Sequence, residues 1–279
     1  MFIEKRKYFF IFSSIIIIAG IISMFVQGFN TGIDFRGGSL LRYKIDASVS
    51  SGEVRTTIES LNVVDEASVQ KSKDQFFIRT TELNQEQTHK ITNALQDKFK
   101  NVTYLSAESV GATVGKELTR NAILEVLLAM ALMLVYISFR FEWTFGVAAV
   151  VALFHDILIV LGIFSIFQWE IDSAFIAAVL TIIGYSINDT IVIFDRVREN
   201  LRMKKKDELA NLLNKSIMQT MNRSINTVLT CLLPLVTLYI FGGSTIKTFV
   251  LAMLIGFIFG CYSSVCIASP VYYAIKQRG

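Results

Sequence analysis

The chain has 279 residues, of which 53% are hydrophobic and 18% are charged, and its mean hydropathy is +0.52. A soluble domain has about 45–50% apolar and about 25% charged residues, so this composition favours a membrane protein. The 22 Phe and 2 Pro exclude a disordered or collagen-like chain, and a net charge of +4 is too small to indicate a nucleic-acid partner. The three cysteines lie in apolar runs without CxxC spacing, so we expect neither a disulfide framework nor a metal site.

Apolar windows recur along the chain, and each is long enough to cross a hydrocarbon core of about 30 Å as a helix of about 20 residues. The first window follows three basic residues but carries no small-residue cleavage site, so we interpret it as an uncleaved anchor rather than a signal peptide. The six windows are 8–28, 119–138, 144–167, 172–194, 221–241 and 248–272.

The basic residues of the short connections collect on one side of the predicted membrane. The connections on the other side, 168–171 and 242–247, contain one basic residue, Lys247. The positive-inside rule therefore predicts that both termini are cytoplasmic and that 29–118 is extracytoplasmic. The basic residues are Lys5, Arg6, Lys7, Arg140, Arg196, Arg198, Arg202, Lys204, Lys205, Lys206, Lys215, Arg223, Lys276 and Arg278.

The segment 29–118 has the pattern of a small α+β domain. Residues 39–46 alternate between apolar and polar, which predicts a half-buried strand, and further strands are predicted at 66–71, 75–80 and 102–108. Capping-box pairs, Ser50 with Glu53 and Asn84 with Gln87, open two helices between these strands. The order β-α-β-β-α-β is that of the ferredoxin-like fold.

These observations predict an α-helical membrane protein with six transmembrane helices and one small ferredoxin-like extracytoplasmic domain between helices one and two. The expected domains are an anchor at 1–28, the α+β domain at 29–118 and a five-helix bundle at 119–279. A basic cytoplasmic loop is expected at about 195–220, where it would hold the topology and attract anionic lipid headgroups.

Residues 111–116, GATVGK, have three residues between the glycines, where a nucleotide-binding P-loop has four, and Glu117 stands where a Ser or Thr is needed. The sequence therefore predicts no nucleotide site. We expect no cofactor, no metal, no catalytic residue and no enzymatic activity.

Ionisable residues inside membrane spans are costly and therefore indicate function. Asp189 lies about 8 Å inside its span at 1.5 Å per residue, with Asn188 beside it, and Arg223 begins the next, antiparallel span. A carboxylate beside a fixed cation stays ionised, and one that moves away from it in a low dielectric takes up a proton. Asp189 and Arg223 can thus couple proton transfer to helix movement, or form a static ion pair that only fixes packing.

Two further features of the spans leave their roles open. Asp156, next to His155, can extend a proton path or serve structure alone. Gly256 and Gly260, followed by Ser264 and Ala268, recur every fourth residue and predict close packing against another helix, in this chain or in a second one.

Several motifs resemble the SecD/SecF family, and within it SecF, a membrane subunit of the bacterial Sec protein-export machinery in the resistance-nodulation-division superfamily. The first motif contains Gly32, Asp34, Gly37 and Gly38. The matching segments are GIDFRGG at 32–38, SVGATVGKEL at 109–118, FHD at 154–156, IIGYSINDTIVIFDRVREN at 182–200, and RSINTVLTCLLPL, FGGSTIKTF and AMLIGFIFGCYSSVCIASP thereafter.

This resemblance implies a subunit that pairs with SecD, works beside the SecYEG channel and uses the proton-motive force to assist preprotein export across the cytoplasmic membrane. It also makes YajC a candidate partner. The essential aspartate and arginine of the family match Asp189 and Arg223, and the resemblance places the chain in the inner membrane.

Three alternatives remain open from the sequence. The chain could be a self-contained, proton-driven exporter of small molecules from the same superfamily, although six spans are about half of what such a pump needs. It could be an intramembrane aspartyl hydrolase using Asp156 and Asp189, although neither has the glycine-flanked context expected of one. It could also be a purely structural subunit that handles no protons.

Overall fold

The computed structural model describes residues 1–64, 67–72, 74–203 and 208–278. Within this part of the chain, six helices are long and apolar enough to cross a membrane, as the sequence predicts. The contacts group the chain into two compact units, Thr31–Ala122 and the combination of Met1–Asn30 with Ile123–Gly279.

The unit Thr31–Ala122 follows α1 and contains an antiparallel sheet with strand order β2-β3-β1-β4. This is the predicted ferredoxin-like arrangement. It also has a short helix, α2, that the sequence does not predict, and residue 66 of the predicted second strand lies outside the described residues. The elements are α1 (Arg6–Val26), α2 (Ile33–Arg36), β1 (Gly38–Lys44), α3 (Ser51–Glu59), β2 (Ser68–Ser72), β3 (Gln75–Thr80), α4 (Gln85–Lys98) and β4 (Thr103–Val110).

The core of this unit follows the sequence pattern. The alternate residues Leu41, Tyr43 and Ile45 are all buried beneath α3 and α4. Both predicted capping boxes form: Ser50 and Glu53 exchange hydrogen bonds at the start of α3, and Asn84 and Gln87 do so at the start of α4.

Two adjacent glycines make the connection from α2 to β1. Gly37 and Gly38 have φ angles of +78° and +120°, a region that side chains disfavour. A Cβ on Gly37 would lie 2.9 Å from the Cα of Ala112, and one on Gly38 would collide with the carbonyl oxygen of Thr80. The backbone therefore passes too close to its neighbours for any other residue. Gly32 is the N-cap of α2 and Asp34 lies in its first turn.

The remaining helices are α5 (Ala112–Arg140), α6 (Trp143–Phe167), α7 (Ser173–Met203) and α8 (Leu209–Phe241), followed by α9 (Lys247–Ser263) and α10 (Ser269–Arg278). A π-helical turn, Ser264–Ala268, joins α9 to α10, and together they form the sixth spanning segment. The sequence predicts neither this turn nor the full lengths of α7 and α8.

The expected basic loop at 195–220 is largely helical, which corrects the interpretation of this segment from its polarity. α7 continues to Met203 and α8 begins at Leu209, so Arg223 lies well inside α8 rather than near its start. The extensions are held together because Asn200 Nδ2 donates to Ser216 Oγ at 2.8 Å and to Gln219 Oε1 at 2.9 Å. Lys204, Lys205 and Lys206 lie outside the described residues.

Glycines bring the membrane helices into close contact. Gly256 on α9 faces Ile182 on α7, and a Cβ on Gly260 would lie 3.1 Å from the Cβ of Ser186. The partner of the small-residue face of α9 is thus α7 of the same chain. A second close contact joins α1 and α6, where a Cβ on Gly20 would lie 2.6 Å from the Cα of Gly162.

Candidate functional site

Asp189 lies on the face of α7 that meets α8 and is 6% exposed. Its Oδ1 accepts a hydrogen bond of 2.5 Å from Ser224 Oγ on α8. Its Oδ2 is buried, and no described residue hydrogen-bonds to it. Because an ionised carboxylate has about four lone-pair sites on its two oxygens and one hydrogen bond to it is described, most of the hydrogen-bonding capacity of this group is unused.

Arg223 is next to Ser224, yet its side chain is exposed on the surface of α8. Among the described residues no ion pair within 4.0 Å joins Arg223 to Asp189, although the guanidinium attracts the carboxylate electrostatically. The two residues predicted to meet are therefore neighbours without direct contact. Successive side chains on a helix point about 100° apart, so only one of Arg223 and Ser224 can face α7.

The surroundings of Asp189 contain a second buried polar atom that lacks an ordinary hydrogen bond. Asn188 is exposed, whereas the hydroxyl of Tyr185, one turn before Asp189, is buried, interacts with the Cys231 thiol of α8 and has no partner at ordinary hydrogen-bond geometry among the described residues. The Tyr185 ring stacks on Phe257 of α9, with ring centroids 3.9 Å apart. The face of α7 at Asp189 thus carries incompletely satisfied polar atoms inside the bundle.

Asp156 differs from Asp189 because both of its oxygens are engaged. It lies in the middle of α6 and is 1% exposed. Its Oδ1 is 2.9 Å from His155 Nδ1, and its Oδ2 accepts hydrogen bonds of 2.7 Å from Ser186 on α7 and from Ser263 on α9.

His155 extends this cluster to the first helix. Its Nε2 lies 2.9 Å from Ser13 Oγ on α1, which lies 3.2 Å from the Tyr262 hydroxyl on α9. Tyr262 in turn donates to the carbonyl oxygen of Phe9 at 3.0 Å. One chain of polar groups, buried at His155 and Asp156 and partly buried at Tyr262, therefore joins α1, α6, α7 and α9.

The two carboxylates are not partners of one another. Asp156 is bound by His155, Ser186 and Ser263, and Asp189 by Ser224, so each has its own set of donors. Asp189 can take up a proton on its unused oxygen without breaking a hydrogen bond. In the part of the chain that the structure describes, no group of three or more His, Cys, Asp or Glu side chains could hold a metal ion.

Sequence reasoning finds the charged members of the site and misses the hydroxyl groups. Charged residues stand out in an apolar span, whereas a serine there often bonds to the carbonyl one turn earlier in its own helix. Ser263 illustrates this, because its hydroxyl also lies 3.1 Å from the carbonyl oxygen of Gly260. The missed residues are Ser13, Ser186, Ser224, Tyr262 and Ser263.

Comparison with known proteins gives matches over the whole chain. The family model of the C-terminal region of the protein export membrane proteins SecD/SecF matches residues 90–278, and the SecD/SecF GG motif matches residues 22–49. The protein translocase subunit SecF of Sebaldella termitidis is 40% identical over 98% of this chain and 91% of its own length. The subunit SecDF of Bacillus subtilis is 43% identical over 99% of this chain, which spans 38% of that protein.

Solved structures agree with these matches. The crystal structure of SecDF from Thermus thermophilus, described as a translocon-associated membrane protein, matches 99% of this chain with a TM-score of 0.94 and 36% identity. A second SecDF structure, in a super-membrane-facing form, matches with a TM-score of 0.74 at the same identity, and this chain spans 38% and 39% of the two solved chains. The chain is thus a multi-pass membrane protein that belongs to the SecD/SecF family.

Proposed function

We propose that the chain is a subunit of the bacterial protein-export machinery that, together with SecD, uses the proton-motive force to assist preprotein translocation across the cytoplasmic membrane. The similarity to SecF over 98% of the chain supports the role in translocation. The partnership with SecD is supported by SecDF relatives, of whose length this chain spans 38%. SecYEG, the translocating preprotein and YajC complete the set of proposed partners.

The observation that carries the energy-coupling part of the proposal is the buried carboxylate of Asp189, with one oxygen unused and Arg223 close by without contact. Protonation would remove the negative charge of Asp189, and with it the attraction to Arg223, and it would weaken the hydrogen bond from Ser224, which would no longer be charge-assisted. The packing of α7 against α8 would then favour a different arrangement. Moving one charge across 100 mV contributes about 2.3 kcal/mol, which is enough to bias a two-state change.

In the proposed cycle, protons from the outside reach Asp189 and leave on the cytoplasmic side, and the resulting helix movement reorients the ferredoxin-like unit. The different TM-scores of the two SecDF structures, 0.94 and 0.74, support the idea that members of this family adopt more than one arrangement. Asn188, next to Asp189, and Asp156, one helix away, are proposed as further members of the proton path.

The proposed topology places the chain in the inner membrane with both termini in the cytoplasm and residues 29–118 outside. The distribution of basic residues supports this orientation. No enzymatic activity is proposed. The separate donor sets of Asp156 and Asp189 speak against a proton-sharing pair of the kind that aspartyl proteases use.

The test is an Asp189→Asn variant in cells that depend on this chain, with preprotein export followed by pulse labelling. We expect export to slow and to lose its dependence on the proton-motive force while SecD still co-purifies. The matched control is Asp195→Asn, because Asp195 is exposed and forms only a surface ion pair with Arg198. Normal export by the Asp189→Asn variant in an intact complex would leave only a structural role.

A further inference from the structure

The polar chain that ends at Asp156 consists of four successive close contacts. These are Phe9 O to the Tyr262 hydroxyl at 3.0 Å, Tyr262 to Ser13 Oγ at 3.2 Å, Ser13 to His155 Nε2 at 2.9 Å, and His155 Nδ1 to Asp156 Oδ1 at 2.9 Å. Each contact is a hydrogen bond when one hydrogen lies between its two atoms, and two facing lone pairs when none does. Four contacts in a row therefore require four hydrogens.

The carbonyl oxygen of Phe9, at one end of the polar chain, determines which group donates in each contact. The carbonyl oxygen of Phe9 can only accept, so Tyr262 must use its single hydrogen there. Ser13 then has to donate to Tyr262, which leaves its own oxygen as the acceptor for His155. The hydrogen in that contact must consequently sit on Nε2 of His155.

The contact between His155 and Asp156 needs one more hydrogen, which either the ring or the carboxyl group can supply. Both placements give the pair one proton more than a neutral histidine beside an ionised aspartate. In both placements the pair carries no net charge. His155 and Asp156 are 6% and 1% exposed, and an uncompensated charge at such a depth is costly.

Among the described residues, the groups packed around the pair supply no other compensating charge. Among the described contacts, α1 contributes Ser13, α7 contributes Ser186, and α9 contributes Ser263 and Tyr262. Tyr262 is the one titratable side chain of this set, and its hydrogen is engaged by Phe9. Neutrality therefore has to come from a proton on the pair itself.

We infer that His155 and Asp156 form a second proton-binding site, which in this conformation holds one proton and presents a hydrogen on His155 Nε2 to Ser13. Loss of that proton would leave a neutral ring with its hydrogen on Nδ1 and an ionised Asp156. One contact between α1 and its neighbours would then lack a hydrogen, so proton release would loosen α1. This inference deepens the proposed function, on which its role in transport rests.

The protonation of His155 can be measured directly because the chain has only 2 histidines. His89→Gln removes the other one, which is exposed on α4 in the ferredoxin-like unit. The full-length variant, labelled with ¹⁵N-histidine and placed in lipid nanodiscs at neutral pH, would be examined by NMR. We expect a hydrogen on Nε2, either with one on Nδ1 or with a protonated Asp156 carboxyl. A neutral ring with its hydrogen on Nδ1 and a bare Nε2 would overturn the inference.

A second variant tests whether the polar chain sets this state. Tyr262→Phe removes one hydroxyl, after which Ser13 is free to donate to His155, so the population with a hydrogen on Nε2 should fall. Tyr136→Phe, the same substitution at an exposed site on α5, should leave it unchanged. If the Tyr262→Phe variant keeps the same population with a hydrogen on His155 Nε2, the polar chain does not determine where that hydrogen sits. This readout does not involve export, so its result is independent of the Asp189→Asn test.

Discussion

Ser224 and Arg223 are neighbours on α8, and the smaller of them holds the Asp189 carboxylate. Ser224 is 1% exposed and donates to Asp189 Oδ1 at 2.5 Å, whereas Arg223 faces outward. A hydrogen bond to a charged group contributes about 1.5–3 kcal/mol. The strength of this bond therefore influences how readily Asp189 exchanges the ionised form for the protonated one.

Ser224→Ala should lower proton-driven export by about tenfold. The lost hydrogen bond contributes at least about 1.5 kcal/mol to the ionised form of Asp189, and about 1.4 kcal/mol changes the equilibrium between its ionised and protonated forms by a factor of ten. The expected cause is loss of the single described hydrogen bond to Asp189, with little change in packing volume. Preprotein export at a fixed proton-motive force measures the effect. Ser14→Ala makes the same substitution at an exposed position of α1 and should export normally. Equal rates for both variants would show that Ser224 has no part in coupling.

At this scale the sequence predicts charged groups better than their partners. Asp189, Asp156 and Arg223 are conspicuous because a charge is rare in an apolar span. Which side of α8 faces α7 depends on the packing of the whole helix, so the sequence cannot distinguish Ser224 from Arg223 as the contact. The same limit hides Ser13, whose hydroxyl reaches His155 from a different helix.

Among the elements, α1 and α6 approach each other at a pair of glycines. A Cβ on Gly162 would lie 2.9 Å from the Cα of Gly20, and a backbone atom cannot move aside as a side chain can. This close approach lets Ser13 of α1 reach His155 of α6 in the same helix pair. The sequence pattern emphasises Gly256 and Gly260, whereas Gly20 and Gly162 are isolated and give no periodic signal.

Gly162→Ala should separate α1 from α6 and destabilise the protein by about 1–3 kcal/mol, the usual cost of overpacking. Unfolding of the purified chain in detergent would measure the loss. Gly184→Ala is the matched control because it lies inside α7 with nothing within 4 Å of its added Cβ. Alanine at an open helix position removes the flexibility of glycine, so this control should be unchanged or more stable. Equal destabilisation of both variants would mean that the helix contact is not limiting.

The capping box of α3 gives a pH-dependent element. Hydrogen bonds from the backbone and then the side chain of Ser50 hold the pKa of Glu53 below its ordinary value. A carboxyl with a lowered pKa binds fewer protons when folded, so its stabilisation is present above the unfolded pKa of about 4.3 and is lost as the pH falls through the folded value.

Glu53→Gln should remove this pH dependence, because glutamine also suits the third position of the capping box but does not titrate. Hydrogen exchange of the α3 amides in the full chain would follow it between neutral pH and about pH 3, below the unfolded pKa. The parent chain should lose protection at acid pH relative to the variant. Glu59→Gln, an exposed change at the other end of α3, should behave like the parent. If the Glu53→Gln variant loses as much protection, the capping box is not responsible.

The lengths of the elements are harder to predict than their types. The six spanning segments and the order of the ferredoxin-like unit follow from periodicity and capping pairs, which are local features. The helical segment from Leu209 to residue 220 is polar on its surface, and its helix depends on packing that buries Leu213 and Ile217. Such tertiary packing overrides the local signal for a loop.

For the whole molecule, the proposed orientation in the membrane can be tested with single cysteines. Ala47→Cys is exposed in the ferredoxin-like unit, and Met203→Cys, at 63% exposure, ends α7 on the proposed cytoplasmic side. Both would be made in a background in which Cys231, Cys261 and Cys266 are replaced. A maleimide that cannot cross the membrane should label Ala47→Cys in spheroplasts, and Met203→Cys only after permeabilisation.

The basis of this expectation is the uneven distribution of basic residues, since the connection 168–171 has none and 242–247 has only Lys247. Labelling of Met203→Cys in intact spheroplasts, with Ala47→Cys protected, would show that the orientation in the membrane is the opposite of the proposed one. Protons driven inward would then meet the opposite end of α7 first. Asp189 lies near the middle of α7, 16 residues after Ser173 and 14 residues before Met203, so the carboxylate would stay inside the span of a reversed chain. Protons would then have to reach it from the Met203 end, and the proposed route, which enters from the Ser173 side, would be wrong in direction.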